Sequence, residues 1–332
     1  EFPENASYRE ARLRAVVDQA RLLLETGNPP AADAELRAAR AEATSLLNQR
    51  PELSGVREAL AECCIQSAKV AREGGDNAAA EAALQEALDE RRRLLAATPA
   101  SETLQDALAG NLAALGALYC DTKRYSDAAV CLSEAATLQQ RLVDEHRHSA
   151  KYLSGLAGMC DQLADLYNRW SAIPGQTENA MLAALRVRKT LAREHPAVTE
   201  YQSRLAASQH ALARFYLEAS RPADAEAALL AAKQLYEPLA ERHGEVPEFS
   251  LELASVDRGL SSIVGRRDQP AQAVHYAEEA MATLRSLSDR FPRRVEYARR
   301  LAAACRDVGN AQTAARRPDE SQKAYQAAVD VL

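Results

Sequence analysis

The 332-residue sequence predicts an all-α fold, a right-handed α-solenoid of about seven helix hairpins with a 48-residue period. Three observations carry that expectation. Helix formers dominate, aromatic residues are only 5% of the chain and β-branched residues are sparse, so Ala and Leu must do the packing on helical faces. A small residue recurs at Ala32, Ala80, Ala128, Thr177, Ala225, Ala273 and Ser321, in steps of 48, 48, 49, 48, 48 and 48. Seven positions beyond each stands an alanine: Ala39, Ala87, Ala135, Ala184, Ala232, Ala280 and Ala328.

Each element of the repeat follows from these columns. Between Asn111 and Gln140, helical spacing puts Leu112, Leu115, Gly116 and Tyr119 on one face. A break at residues 121–124 follows, and Tyr125, Ala128, Leu132 and Ala135 then mark the face of a second helix. The first helix carries its own small column, Ala20, Ala68, Gly116, Ala164, Ala213, Ser261 and Gly309, eight residues after Arg12, Leu60, Leu108, Leu156, Leu205, Leu253 and Leu301. Small residues facing small residues let two helices approach closely, whereas a Leu there would displace packed backbone. Tyr8, Val56, Leu104, Tyr152, Tyr201, Phe249 and Tyr297 form a further column at the start of the first helices. Leu46, Leu94, Leu142, Leu191, Leu239 and Leu287 form another near the end of the second.

Proline at 51, 99, 196 and 292 marks four junctions between repeats, because it cannot continue the helix before it. Gly27-Asn28-Pro29-Pro30, Gly74-Gly75-Asp76 and Ile173-Pro174-Gly175 mark turns inside hairpins, and the loop after Trp170 holds the one extra residue of the array. The expected organisation is a single repeat domain over 1–332, with repeats near 4–51, 52–99, 100–147, 148–196, 197–244, 245–292 and 293–332 and no strand.

Composition excludes several functions. The net charge of −6 comes from 41 basic and 47 acidic side chains interspersed along the chain, with no basic stripe, so no nucleic acid is expected as partner. No apolar run of about 18 residues exists, so no membrane insertion by this segment is expected. The six cysteines form no C-x-x-C pair, and Cys64, Cys160 and Cys305 share one inward register position. They read as core fillers in a reducing, cytoplasmic compartment, with no cofactor and no metal site implied. The chain begins at Glu1-Phe2 and reads as a piece of a longer protein.

The large-small-large spacing of the first helix, its Tyr, and the Ala, Leu and Ala of the second resemble the tetratricopeptide (TPR) repeat over essentially the whole chain, with helices lengthened by a turn or two. The Pro junctions and near-48 period are also similar to the long TPR arrays that follow serine/threonine kinase domains in some bacteria. No kinase signature is present, so that resemblance implies a recruiting or self-associating regulatory tail of a signalling kinase. The TPR resemblance implies a non-enzymatic scaffold that binds a peptide or helix of a partner protein in a concave groove lined by the first helices. Carried over by register, the groove residues are Lys69 and Arg72, Ala113 and Ala117, Asp161, Asp165, Asn168 and Arg169, His210 and Arg214, and Arg258. A bulky partner side chain would seat against Ala113 and Ala117. The first repeat has Val17 and Arg21 where chaperone-binding relatives hold a carboxylate clamp, which argues against that ligand.

Candidates for chemistry have plainer explanations. His146, His195 and His243 stand at equivalent positions in consecutive repeats. Packed helices lie roughly 8–10 Å apart, too far for one ion, so helix C-terminal roles are expected. Asp161 and Asp165, four apart, could pair for acid/base work, yet no nucleophile or phosphate cradle accompanies them. Trp170 is expected to pack on its hairpin rather than to anchor a partner. The pattern closes on a hairpin with no polar capping helix after it, which implies a possible homo-oligomer contact through the C-terminal end.

Overall fold

A computed structural model describes residues 6–170 and 174–331. The turn with the extra residue, 171–173, and the Glu1-Phe2 start lie outside the described residues. All regular structure described is helical. The first helices of the hairpins are α1 (Ala6–Glu25), α3 (Ser54–Glu73), α5 (Glu102–Asp121), α7 (Ala150–Arg169), α9 (Thr199–Glu218), α11 (Pro247–Arg266) and α13 (Val295–Ala314). The second helices are α2 (Pro29–Gln49), α4 (Asn77–Ala97), α6 (Tyr125–Glu145), α8 (Pro174–Glu194), α10 (Pro222–Arg242), α12 (Pro270–Arg290) and α14 (Pro318–Asp330). Starts repeat every 48 residues, except for a step of 49 across residues 171–173.

The helices sort into two compact units, Glu1–Ala180 and Met181–Leu332. The first unit has one continuous core that runs through Leu13, Leu36, Leu60, Leu84, Leu112 and Leu132. The second has its own clusters, one around Leu212, Leu229, Leu260 and Tyr236, the others around Leu284 with Leu301 and around Val264 with Val308. Each fully buried Leu contributes about 1.5–3 kcal/mol by removal from water. Within each unit a second helix packs on both its own first helix and the next one, and first helices also touch one another, as α1 and α3 do in the first unit and α11 and α13 in the second.

The small columns do what their spacing requires. A Cβ on Gly116 would lie 2.7 Å from Leu132 Cγ, inside the facing helix. At the same crossing in other hairpins, Ser261 Oγ donates to the Ala273 carbonyl at 2.8 Å and Ser321 Oγ donates to the Gly309 carbonyl at 2.9 Å. Helix axes this close leave no room for a side chain the size of leucine.

Turns inside hairpins share one geometry. The residue after the first helix's cap takes positive φ at Gly27, Gly75, Lys123, Ser220, Asp268 and Arg316. The next amide then reaches back five residues, as Asn28 does to the Leu23 carbonyl and Arg124 to the Tyr119 carbonyl, both at 2.8 Å. This satisfies carbonyls that the helix end would orphan. Only the first two described turns use glycine, so the later ones hold an L side chain in the left-handed region.

Junctions between repeats are equally regular. Residues Arg50, Thr98, His146, His195, His243 and Phe291 each donate a backbone N–H to the leucine four positions back. The imidazoles sit on the aromatic residue six positions on: His146 on Tyr152, His195 on Tyr201 and His243 on Phe249, with centroids 5.5, 5.7 and 6.1 Å apart. Phe291 replaces the histidine over Tyr297. The histidine row therefore makes tilted and edge-on ring contacts at helix C-termini, and His146 Nε2 also lies 3.0 Å from Glu102 and His243 Nδ1 3.5 Å from Glu245.

All six cysteines are free and buried. Burial pushes the Cys63 and Cys64 thiols up to about 12. Trp170 closes α7, stays 41% exposed and lies 6.4 Å from the ring of Tyr125.

Candidate binding surface

In the first unit, charged side chains at the C-terminal ends of α3, α5 and α7 form a ladder. Arg72 donates to Asp121 at 2.8 Å, Arg169 reaches the other oxygen of Asp121 at 3.4 Å, and Arg169 Nε pairs with Asp165 at 2.8 Å. The register offsets of 49 and 48 residues bring these groups side by side. All are roughly half exposed, so each pair contributes at most about 1 kcal/mol. Lys69 lies one turn before Arg72 and is exposed, as are Asp161 and Asn168. Ala117 is half-buried, but Ala113 is only 4% exposed within the core. The expected apolar seat thus shrinks to Ala117, because Ala113 is spent on packing the hairpin.

In the second unit, Arg258 donates to Asp307 at 2.6 Å, linking α11 to α13, and His210 Nδ1 lies 3.2 Å from Glu252, linking α9 to α11. That hydrogen bond to His210 holds the Glu252 carboxyl below its usual range. His210 and Arg214 line a cleft of about 510 Å³ between α9 and α11, with Arg204, Tyr236, Phe249 and Glu252 among its other walls. Tyr236, from α10, is 2% exposed. Its phenol pKa is raised by burial and by the nearby Glu252 charge.

Tyr236 belongs to a column absent from the sequence expectations, four residues beyond the alanines: Ala43, Arg91, Gln139, Arg188, Tyr236 and Leu284. Its polar members reach into the next hairpin. Arg91 donates to the Ala107 carbonyl of α5 at 3.0 Å and back to Glu62 of its own hairpin at 3.1 Å. Gln139 donates to the Tyr152 carbonyl at 3.2 Å, across the bare face of Gly155, where a Cβ would come within 2.4 Å of its amide. Arg188 donates to Ser208 Oγ at 2.6 Å. Buried polar groups are tolerated because they are partnered.

A second buried cluster lies on the opposite side of α11. Lys233 Nζ donates to Asp257 at 2.6 Å and to Glu279 at 2.9 Å, with Glu237 at 3.3 Å. Asp257 is 1% exposed, and burial pushes its carboxyl up to about 6 despite the lysine. Burial works against the charged lysine too, but the hydrogen bonds to Asp257 and Glu279 outweigh it and raise the Lys233 pKa. The signal in the sequence was the register: Asp257 stands where Cys64, Leu112, Cys160, Gln209 and Cys305 stand in other repeats.

No family model and no curated protein matches the chain. Solved structures do. The S. pombe nuclear import adaptor Nro1 is 14% identical, with 90% of this chain and 99% of that one covered and a TM-score of 0.58. A structure describing Nro1 as a hypoxic regulator of sterol synthesis and nuclear import adaptor gives 0.59 at 13% identity, covering 88% of this chain and 93% of that one. The apo form of RapI is 10% identical, with 96% and 97% covered and a TM-score of 0.51. The fold is TPR-like. At these identities the likeness speaks to architecture alone, with lengthened TPR-like hairpins as the building unit. Among the described residues, no helix is long and apolar enough to cross a membrane.

Proposed function

We propose that this TPR-like chain is a non-enzymatic scaffold in which the first-helix face of a unit captures a peptide or helix of a partner protein. The observation that carries the reading is the charge left in solvent at the C-terminal ends of the first helices. In the first unit it forms a mixed-charge row of Lys69, Arg72, Asp121, Asp165 and Arg169, and in the second unit Arg214 is exposed at the corresponding end of α9. Such a row suits a partner segment of mixed charge, recognised by complementarity rather than by area. The solvent-exposed Asp165 is tied to Arg169, which favours a surface role over acid/base chemistry. Six free buried thiols support a reducing, cytoplasmic setting.

Charge reversal of Lys69, Asp165 and Arg214, singly and together, tests the proposal. Capture of a copurifying partner is expected to fall while far-UV circular dichroism stays unchanged. Undiminished capture by the triple variant would remove the first-helix face from consideration.

A second reading, self-association as the regulatory tail of a bacterial signalling kinase, draws support from the last hairpin. There Tyr325 and Val329 are 38% and 67% exposed beside a cleft of about 480 Å³. Light scattering on Val329→Glu and Tyr325→Glu would show a smaller particle than the parent if that face mediates assembly, and an identical one if it does not.

A further inference from the structure

The cleft between α9 and α11 contains an imbalance of hydrogen-bonding capacity. Several of its polar groups are already committed: Arg204 to Glu200 at 2.8 Å, His210 to Glu252 at 3.2 Å, and Ser203 Oγ to the Glu200 carbonyl at 3.0 Å. Three donors are not. Among the described residues, Arg214, Ser255 and the Tyr236 hydroxyl have no hydrogen-bond or ion-pair partner, although Tyr236 is 98% removed from solvent by its 2% exposure. The corresponding side chains of the other repeats, Arg91, Gln139 and Arg188, each hydrogen-bond within the fold. Tyr236 instead faces the cleft. On the acceptor side, Glu252 already accepts from His210, so Glu248 at the first turn of α11 is the one uncommitted carboxylate among the lining residues.

The missing partner is thus an acceptor, and beside a guanidinium the acceptor of choice is an anion, since charge-assisted hydrogen bonds are about twice as strong as neutral ones. The remaining walls, Ala207, Ala211 and Phe249, are apolar and suit a short methylene stem. The volume of about 510 Å³ is that of a ligand subsite and accommodates one side chain with its adjoining backbone.

We infer that the α9–α11 cleft is a subsite for a glutamate side chain of the bound partner segment, its carboxylate received by Arg214, Ser255 and the Tyr236 hydroxyl. This rests on the segment-binding reading above and gives it a chemical preference: an acidic residue of the partner, presented with its stem against Phe249. The glutamine counterpart fills the same volume but offers Arg214 no charge.

The experiment uses the full chain with ¹³C-labelled tyrosine rings, titrated with N-acetyl-glutamate N-methylamide and, separately, with its glutamine analogue and with free glutarate. The Tyr236 signals are assigned from Tyr236→Phe. The expected result is a saturable shift of the Tyr236 ring with the glutamate compound, at least about tenfold weaker with the glutamine analogue and in Arg214→Gln. Glutarate binding as tightly as the peptide mimic would overturn the assignment to a protein side chain in favour of a free dicarboxylate. No saturable shift, or an equal shift with the glutamine analogue, would overturn the subsite itself, whatever the capture experiment on the first-helix face returns. Retained glutamate binding in Arg214→Gln would do the same.

Discussion

Lys233→Met isolates the energetics of the buried charge cluster. The substitution keeps the stem but removes the ammonium, leaving Asp257 buried with no cation against it and with Glu279 and Glu237 nearby. In the parent, the Asp257 carboxyl is already pushed up to about 6. Its unfolded value is about 3.9. A folded pKa above the unfolded one means that this group favours folding fully below about pH 3.9 and that the advantage is lost as pH rises through about 6. Removing the lysine pushes the folded pKa further up, so the variant goes on losing stability where the parent has levelled off. Each unit of added shift is about 1.4 kcal/mol, and two units give about 3 kcal/mol, within the range for breaking one partner of a buried pair. Thermal melts followed by far-UV circular dichroism should show a deficit of about 6–12 °C near pH 8. Near pH 5, where Asp257 is protonated in both proteins, the deficit shrinks to the lost packing and the lost contacts with Glu279 and Glu237. Asp257→Asn is the control, because Lys233 keeps Glu279 and Glu237 and no buried carboxylate remains; its cost should stay under about 1 kcal/mol near pH 8. A Lys233→Met deficit independent of pH, or an Asp257→Asn cost as large, would refute the reasoning.

Other outcomes follow from local geometry. Gly116→Ala should lose about 1–3 kcal/mol in urea denaturation, since its Cβ would meet Leu132 at 2.7 Å, whereas Gly110→Ala, with nothing within 4 Å, should gain about 0.5–1 kcal/mol. Lys123→Gly and Ser220→Gly should each raise the melting temperature slightly, because these residues hold φ of 61° and 58°, where an L side chain costs about 1–2 kcal/mol and glycine recovers most of it. Thiol labelling of the native protein near pH 8 should proceed only as fast as the hairpins open, because all six cysteines are buried and the thiols of Cys63 and Cys64 are pushed up to about 12; rapid labelling would contradict that burial.

Much of the architecture was legible because close approach of two helices leaves a covalent trace. Ala128 and Gly116 are small for one reason, and that reason recurs with the period. Junction histidines were legible as a row at helix C-termini but not as ring partners, since contacts with Tyr152, Tyr201 and Phe249 depend on the turn that brings residues six apart together. The binding surface was harder. Register gave Arg72, Asp165 and Arg169, but their pairing through Asp121 depends on the lateral offset of neighbouring hairpins, which a periodic pattern does not encode. Ala113 looked available by register and is buried, because an alanine's exposure is decided by its neighbours' size. Asp257 and Tyr236 stood in columns otherwise filled by cysteine, leucine or other polar residues, where one sequence cannot distinguish a tolerated exception from a built site.

A chain made of near-identical hairpins faces the hazard that any hairpin can dock where another belongs, on itself or on a neighbouring nascent copy. The alanine and glycine columns give no protection, since every repeat offers the same smooth surface. The polar column does. Arg91 requires the Ala107 carbonyl, Gln139 requires the open face of Gly155, and Arg188 requires the Ser208 hydroxyl. These three junctions therefore have their own keys, and a hairpin seated at the wrong address leaves an arginine or an amide without its cross-hairpin acceptor. These side chains are proofreading marks: their contribution is to the order in which the repeats are allowed to assemble, and exchanging Arg91 with Gln139 would scramble that order while leaving composition, charge and helix content the same.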